Sequence, residues 1–267
     1  MAKPKVVDKK VVDTAVATQS ADIIMSDQVP DYIKDGQRGS ESVKTEDLVI
    51  PRLEIIQALS PAVKEGDPGY TALARPGMLM NSVTKQLYGK GVMVIPIMFT
   101  KQYLVWKKRK GMDAKGKEIQ LEGGFFGAFN TMDEALARRE EEGGEDNFIE
   151  VLDTPQHFCL LLNPGNGKLE EVMISMPRTK AKISRQWNSM VRLAGGDRFS
   201  RAYRITSALE KKTQGDYYNF AIAPAGFPSR VLYSQAEACY NQLMDGRAIK
   251  MDTSDLAGAE TDAESEM

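Results

Sequence analysis

Cations and aromatic rings alternate in Lys101-Gln-Tyr-Leu-Val-Trp-Lys-Lys-Arg-Lys110, a combination suited to a polyanion whose repeating units also carry flat faces. In an extended strand, side chains alternate between the two faces. Lys101, Tyr103, Val105 and Lys107 then share one face, Gln102, Leu104, Trp106 and Lys108 the other, and Arg109 follows. Each face offers a ring beside an ammonium group. Bases stack on such rings at about 1–3 kcal/mol each with little regard to sequence, while Lys and Arg neutralise phosphates. One face has to be buried, so only one of Tyr103 and Trp106 is expected to be available.

Arg178 to Lys212 forms a second basic run, with ten basic residues against two acidic. Lys180, Lys182 and Arg185 fall near the start of a predicted helix, where backbone N–H groups also attract anions. Arg201 and Arg204 approach from the strand before Tyr217. Alternation puts Tyr218, Phe220 and Ile222 on the core face of that hairpin and Tyr217 opposite, as a third stacking candidate. The opposite sign collects in Asp133 to Glu150, with eight acidic and two basic residues, and in the last sixteen, Asp252 to Met267. That tail holds Asp252, Asp255, Glu260, Asp262, Glu264 and Glu266 and no Lys or Arg. Overall 35 basic residues stand against 37 acidic ones, so the near-neutral total conceals the segregation. A solvated face would explain any one charge run. Two basic runs with an acidic tail point instead to a polyanion binder whose tail recruits partners or shields its groove.

Catalytic patterns are weaker. Asn163-Pro-Gly-Asn-Gly-Lys168 lacks the first glycine of a phosphate loop, and Leu169 stands where Ser or Thr would hold magnesium, so a hairpin turn is expected. Asp113-Ala-Lys115 matches a nuclease fragment but lies in a glycine-rich loop without a second carboxylate. His157, the single histidine, sits in an apolar strand with no nucleophile beside it in sequence and reads as structural. Cys159 and Cys239 are far apart and read as small buried residues, not as a disulfide or zinc site. The expectation is a non-enzyme without metal or cofactor. No run of about 18 apolar residues occurs and the N-terminus lacks a signal-peptide layout, which predicts no membrane contact and a cytoplasmic protein.

These residues need a scaffold, and the chain divides into three parts: a polar arm at 1–46, expected to be disordered, one domain at 47–250, and an acidic disordered tail at 251–267. Leu48 to Leu59 opens the core. Met78 to Tyr88 and Gly91 to Lys108 read as paired strands about Gly89-Lys90-Gly91, with Pro96 predicting an edge or a bulge. Thr131 to Glu142 reads as a helix. Phe148 to Leu152, His157 to Leu162 and Leu169 to Met176 read as strands. Ile183, Trp187, Met190 and Val191 form one helical stripe. Tyr203 to Glu210 and Tyr217 to Ala223 make a hairpin, and Ser234 with Glu237 predicts the cap of a last helix ending at Met244. The expected class is α+β, an OB-like small antiparallel barrel or curled sheet with inserted helices.

Ile50-Pro-Arg-Leu-Glu-Ile-Ile-Gln-Ala-Leu-Ser60, Ala74-Arg-Pro-Gly-Met-Leu-Met-Asn-Ser-Val83 and Thr179-Lys-Ala-Lys-Ile-Ser-Arg-Gln-Trp-Asn-Ser189 together resemble single-stranded DNA-binding proteins of tailed bacteriophages, in a layout covering about residues 47 to 245. The resemblance implies an OB-like domain that coats single strands during phage DNA replication and recombination in the bacterial host cytoplasm. It also implies an acidic tail that contacts replication or recombination proteins; tails of that family end in an apolar tip, where this chain offers Met267 alone. A homo-oligomer is compatible with it. Two other classes stand beside this reading: a phage structural or morphogenesis protein, and a recombination nuclease.

Overall fold

The computed structural model describes residues 49–108, 110–112, 115, 117–145, 148–212 and 215–244, together with Ser42. The expected arm and the acidic tail thus lie outside the described residues, Ser42 apart, and so do Arg109 and Asp113. All described elements belong to one compact unit, Val43–Met267.

Eleven strands and three α-helices are described: β1 (Leu53–Ile55), β2 (Leu79–Asn81), β3 (Leu87–Gly89), β4 (Gly91–Lys107), β5 (Lys110–Met112), β6 (Glu118–Gln120), β7 (Gly124–Phe129), α1 (Met132–Glu141), β8 (Ile149–Leu162), β9 (Leu169–Ser175), α2 (Lys180–Ala194), β10 (Ala202–Lys212), β11 (Gly215–Gly226) and α3 (Arg230–Met244). The protein is α+β with antiparallel strand pairing. The main sheet has the order β11-β10-β4-β8-β9, with β7 also paired to β4.

β4 is the spine of the sheet. One edge pairs with β8 from Met93 against Leu162 to Lys107 against Ile149. The other edge is shared: β10 takes Gly91 to Val94 and β7 takes Tyr103 to Lys107. Pro96 therefore sits in a central strand, and the ladder tolerates its missing donor through a bulge between Pro96 and Met98. The bulge expected for Pro96 is found, and the second edge of β4 is locally unpaired there, between Val94 and Tyr103, among the described residues.

Helices cover both faces. On one, Val94, Cys159, Leu161, Ile174, Tyr203, Ile205 and Phe220 pack against Trp187, Ile183, Met190 and Val191 of α2. The predicted stripe is thus the packing face of α2, with Trp187 fully buried. On the other, Ile95, Ile97, Phe158 and Leu160 meet Leu232, Ala236, Cys239 and Tyr240 of α3. Farther along β4 and β8, α1 closes a smaller cluster of Val105, Ala135 and Ile149 with Tyr103, Phe129 and Val151. The capping box of Thr131 and Glu134 starts α1 at the predicted place.

The main sheet does not close into a barrel among the described residues, since β11 and β9 remain its two ends. The segment around β1 reaches both ends. Arg52 bridges to Met173 of β9, whose N–H donates to the Pro51 carbonyl at 2.8 Å. On the other side, Gln57 donates to the Tyr218 carbonyl and accepts from the Tyr218 N–H, both at 2.8 Å.

Three expectations change. The strand predicted over Met78 to Tyr88 does not pair with β4; it splits into β2 and β3, which pair with each other beside β1. The Asn81 side chain accepts from the Val83 and Thr84 N–H groups, and Lys85 takes φ 57, so the chain reverses there. Phe148 to Leu152 and His157 to Leu162 form one strand, because Pro155 lies within the ladder opposite Lys101. α3 starts at Arg230 with Ser229, not Ser234, at its cap: Ser229 Oγ accepts from the Leu232 N–H at 3.3 Å, directly after Pro228.

Candidate nucleic-acid interface

The first basic run occupies the far end of β4 and the start of β5, and three of its lysines find partners on β8 and β6. Lys101 donates to Asp153 at 2.8 Å, a hydrogen bond that raises its pKa. Lys108 lies 3.5 Å from Glu150, which also accepts from Arg178, and Lys110 lies 3.5 Å from Glu118. Lys107 is half-buried and has no carboxylate within ion-pair distance among the described residues.

The rings of this run are engaged too. Tyr103 packs on the cluster beneath α1, as strand alternation requires for one face. Trp106, on the opposite face, tilts against Phe125 with centroids 4.8 Å apart, and its indole N–H is buried without a partner. Tyr217 needs a correction. It does lie opposite Phe220, but it is only 2 % exposed, and its hydroxyl donates to Glu210 at 2.5 Å. Asn219 beside it is equally buried and donates to the same carboxylate at 2.8 Å. Both faces of this hairpin are covered, so no base can reach Tyr217.

The second basic run looks different. Lys182 and Arg185 are exposed on α2, Arg192 is exposed near its end, and Arg204 is exposed on β10. With Arg198 and Arg201, none of these has a carboxylate within ion-pair distance among the described residues. Lys180 is half-buried at the start of α2, whose first turn holds no acid. Contacts link the series. Arg185 is close enough to Lys101 for its positive charge to oppose protonation of that lysine. Arg198 donates to Asn188 of α2 at 2.9 Å and lies over the Phe99 ring of β4 at 5.5 Å.

Behind these cations lies the one arrangement that imitates a catalytic pair. His157 Nε2 and Ser184 Oγ are 2.8 Å apart. The other ring nitrogen, Nδ1, lies 2.8 Å from Arg198. A guanidinium only donates, so Nδ1 accepts and Nε2 carries the proton, donating it to Ser184. That tautomer leaves no lone pair to activate the hydroxyl. Burial first, then the Arg198 charge, hold His157 well below the usual imidazole range, and Trp187 stacks on it at 4.4 Å. The histidine is a buried strut between β8 and α2. Burial likewise pushes the Cys159 thiol up and that of Cys239 up to about 12, which keeps both unreactive. Asn163 to Lys168 is the hairpin turn expected, with the Asn163 side chain accepting from the Gly165 N–H at 2.8 Å and Gly167 at φ +69. No cluster of three metal-ligating side chains and no helix long and apolar enough to cross a membrane occurs among the described residues.

One contact escaped the sequence reading. The Arg201 guanidinium lies over the Phe227 ring, 4.9 Å from its centroid, although Phe227 is 75 % exposed. The two residues are far apart in sequence. Only the pairing of Ala202 with Gly226 brings them together.

This α+β scaffold belongs to a phage protein. The model of the Pam3 phage gp34-like protein family matches residues 17–249, and the chain belongs to that family. Neither the curated proteins nor the solved structures contain a match.

Proposed function

We propose that this protein binds single-stranded DNA without catalysis and with little sequence preference, during phage DNA replication or recombination. The observation that carries the reading is the series Lys182, Arg185, Arg192, Arg201 and Arg204, five cations with no carboxylate within ion-pair distance among the described residues. Without a carboxylate partner among the described residues, these cations are available to an external polyanion. Sheet curvature favours the same reading: the β1 segment touches β9 through Arg52 and β11 through Gln57, as an OB-like, partly open barrel would. The acidic tail at 251–267 serves as the contact for replication or recombination proteins.

The test is fluorescence anisotropy of a labelled oligonucleotide, single-stranded and duplex, across a salt series. Preferential binding of the single strand is expected, with log affinity falling linearly against log salt at about −0.7 per phosphate neutralised. Salt-independent affinity, or equal affinity for duplex, would overturn the proposal.

A further inference from the structure

We infer that Phe227 is the base-stacking platform of the protein, and that Arg201, Arg204 and Arg230 hold the phosphates around it. The inference rests on the single-strand reading above and adds a site to it.

Three features fix the ring without burying it. Gly226 turns the chain at φ +114, a conformation that other residues adopt only under strain. Pro228 restricts the backbone of the residue before it to extended geometry. Arg201 covers one face of the ring at 4.9 Å. A phenylalanine that is 75 % exposed, yet held at backbone and side chain, presents its free face to solvent with little conformational freedom left to lose. A base stacked there would continue a pile already begun by the guanidinium.

The charges around the ring suit a phosphate backbone. Arg204 is exposed on β10, opposite Ala223 of the strand that ends at Gly226. Arg230 is the first residue of α3, exposed, with no acid in that first turn. A cation at the positive end of a helix is unfavourable by itself, and an anion arriving beside it would relieve the repulsion. None of Arg201, Arg204 and Arg230 has a carboxylate within ion-pair distance among the described residues, and the Arg201 Nε is buried without a partner. A protein partner with an acidic, apolar surface would suit the charges but has no reason to present a flat ring to Phe227. Single-stranded nucleic acid supplies both groups.

The experiment compares wild type, Phe227→Ala and Phe227→Trp for binding of fluorescein-labelled oligothymidylate, with photocrosslinking of the same oligonucleotide carrying 5-iodouracil. Phe227→Ala is expected to weaken binding about 5- to 150-fold with the salt slope unchanged, since one stacked base is lost and no phosphate contact. Phe227→Trp is expected to restore affinity, and the crosslinked peptide in wild type is expected to contain Phe227. The side chain is exposed, so neither variant should unfold. Tight binding by wild type with an unchanged Phe227→Ala would overturn the stacking role and leave the single-strand reading standing. Failure of wild type to bind the oligonucleotide at low salt would overturn both.

Discussion

The two basic stretches of this chain resemble each other as text and differ as surfaces. In the ribbon end formed by β4, β7 and β8, Lys101, Lys108 and Lys110 each face a carboxylate, and Tyr103 and Trp106 each pack on protein. Along α2 and into β10, Lys182, Arg185, Arg192, Arg198, Arg201 and Arg204 have no carboxylate within ion-pair distance among the described residues, and the nearby ring of Phe227 is exposed. The difference originates in the partner strand. Asp153 and Glu150 of β8 lie alongside β4 and reach Lys101 and Lys108, whereas the only acids within Arg178 to Lys212 are Asp197 and Glu210. Asp197 accepts from Tyr233 at 2.7 Å, and Glu210 is taken by Tyr217 and Asn219. Net charge in a sequence window therefore says less than the charge of whatever strand lies alongside.

Stability gives the largest contrast. Trp187 is fully buried and stacks on His157 between the sheet and α2, so Trp187→Ala is expected to cost about 3–5 kcal/mol in urea unfolding. Trp106→Ala at the ribbon end removes a half-buried ring and is expected to cost about 1 kcal/mol. Equal losses would mean that the ribbon end belongs to the same cooperative core, and the distinction between the regions would fail.

Binding comes next. Replacing Arg201, Arg204 and Arg230 together by Ala should reduce the salt slope by about 0.7 for each cation, about 2 in all. Lys107→Ala with Lys108→Ala should change it by about 0.7 or less, because Lys108 is already paired with Glu150. A larger change in the lysine variant, read by anisotropy over the same salt series, would reverse the assignment.

The smallest effect is a pH dependence. His157 is held well below the usual imidazole range, so below about pH 6.5 the unfolded chain takes up a proton that the folded chain refuses. Folding stability is therefore undiminished above about 6.5 and falls as the pH drops below it, by up to about 1.4 kcal/mol per unit until the folded group titrates. No second histidine obscures the signal. Urea midpoints between about pH 5 and 7 should show this slope in wild type and lose it in His157→Gln. A slope that persists in the variant would assign it to carboxylates.

Much of the fold was legible because its signals are local. The apolar stripe of α2, the start of α1 at Thr131, the glycine turn after Asn163 and the bulge at Pro96 each depend on residues within a few positions of one another. Pairing was less legible. Whether Met78 to Tyr88 would join β4 or fold back on itself was decided by the Asn81 side chain and by the ladder that β10 and β8 offered β4 instead. The candidate site suffered most from this. Alternation put Tyr217 on the correct face, but no periodicity tells that the second face of a hairpin is also covered. Arg201 was a candidate from the sequence, but Phe227 was not, because their contact runs across strands, through a register that only the folded sheet defines.

Pro224 carries a further consequence. It lies in β11, at one margin of the sheet where Gln57 already occupies the Tyr218 backbone, and a proline there removes one amide from a strand that would otherwise offer a longer template to another chain. The opposite margin, β9, is occupied by the bridge from Arg52. Exposed strand margins are templates on which neighbouring copies of a chain zip together into fibrils at high local concentration. With one margin interrupted and the other taken, crowded copies of this chain lack a continuous edge on which to zip together.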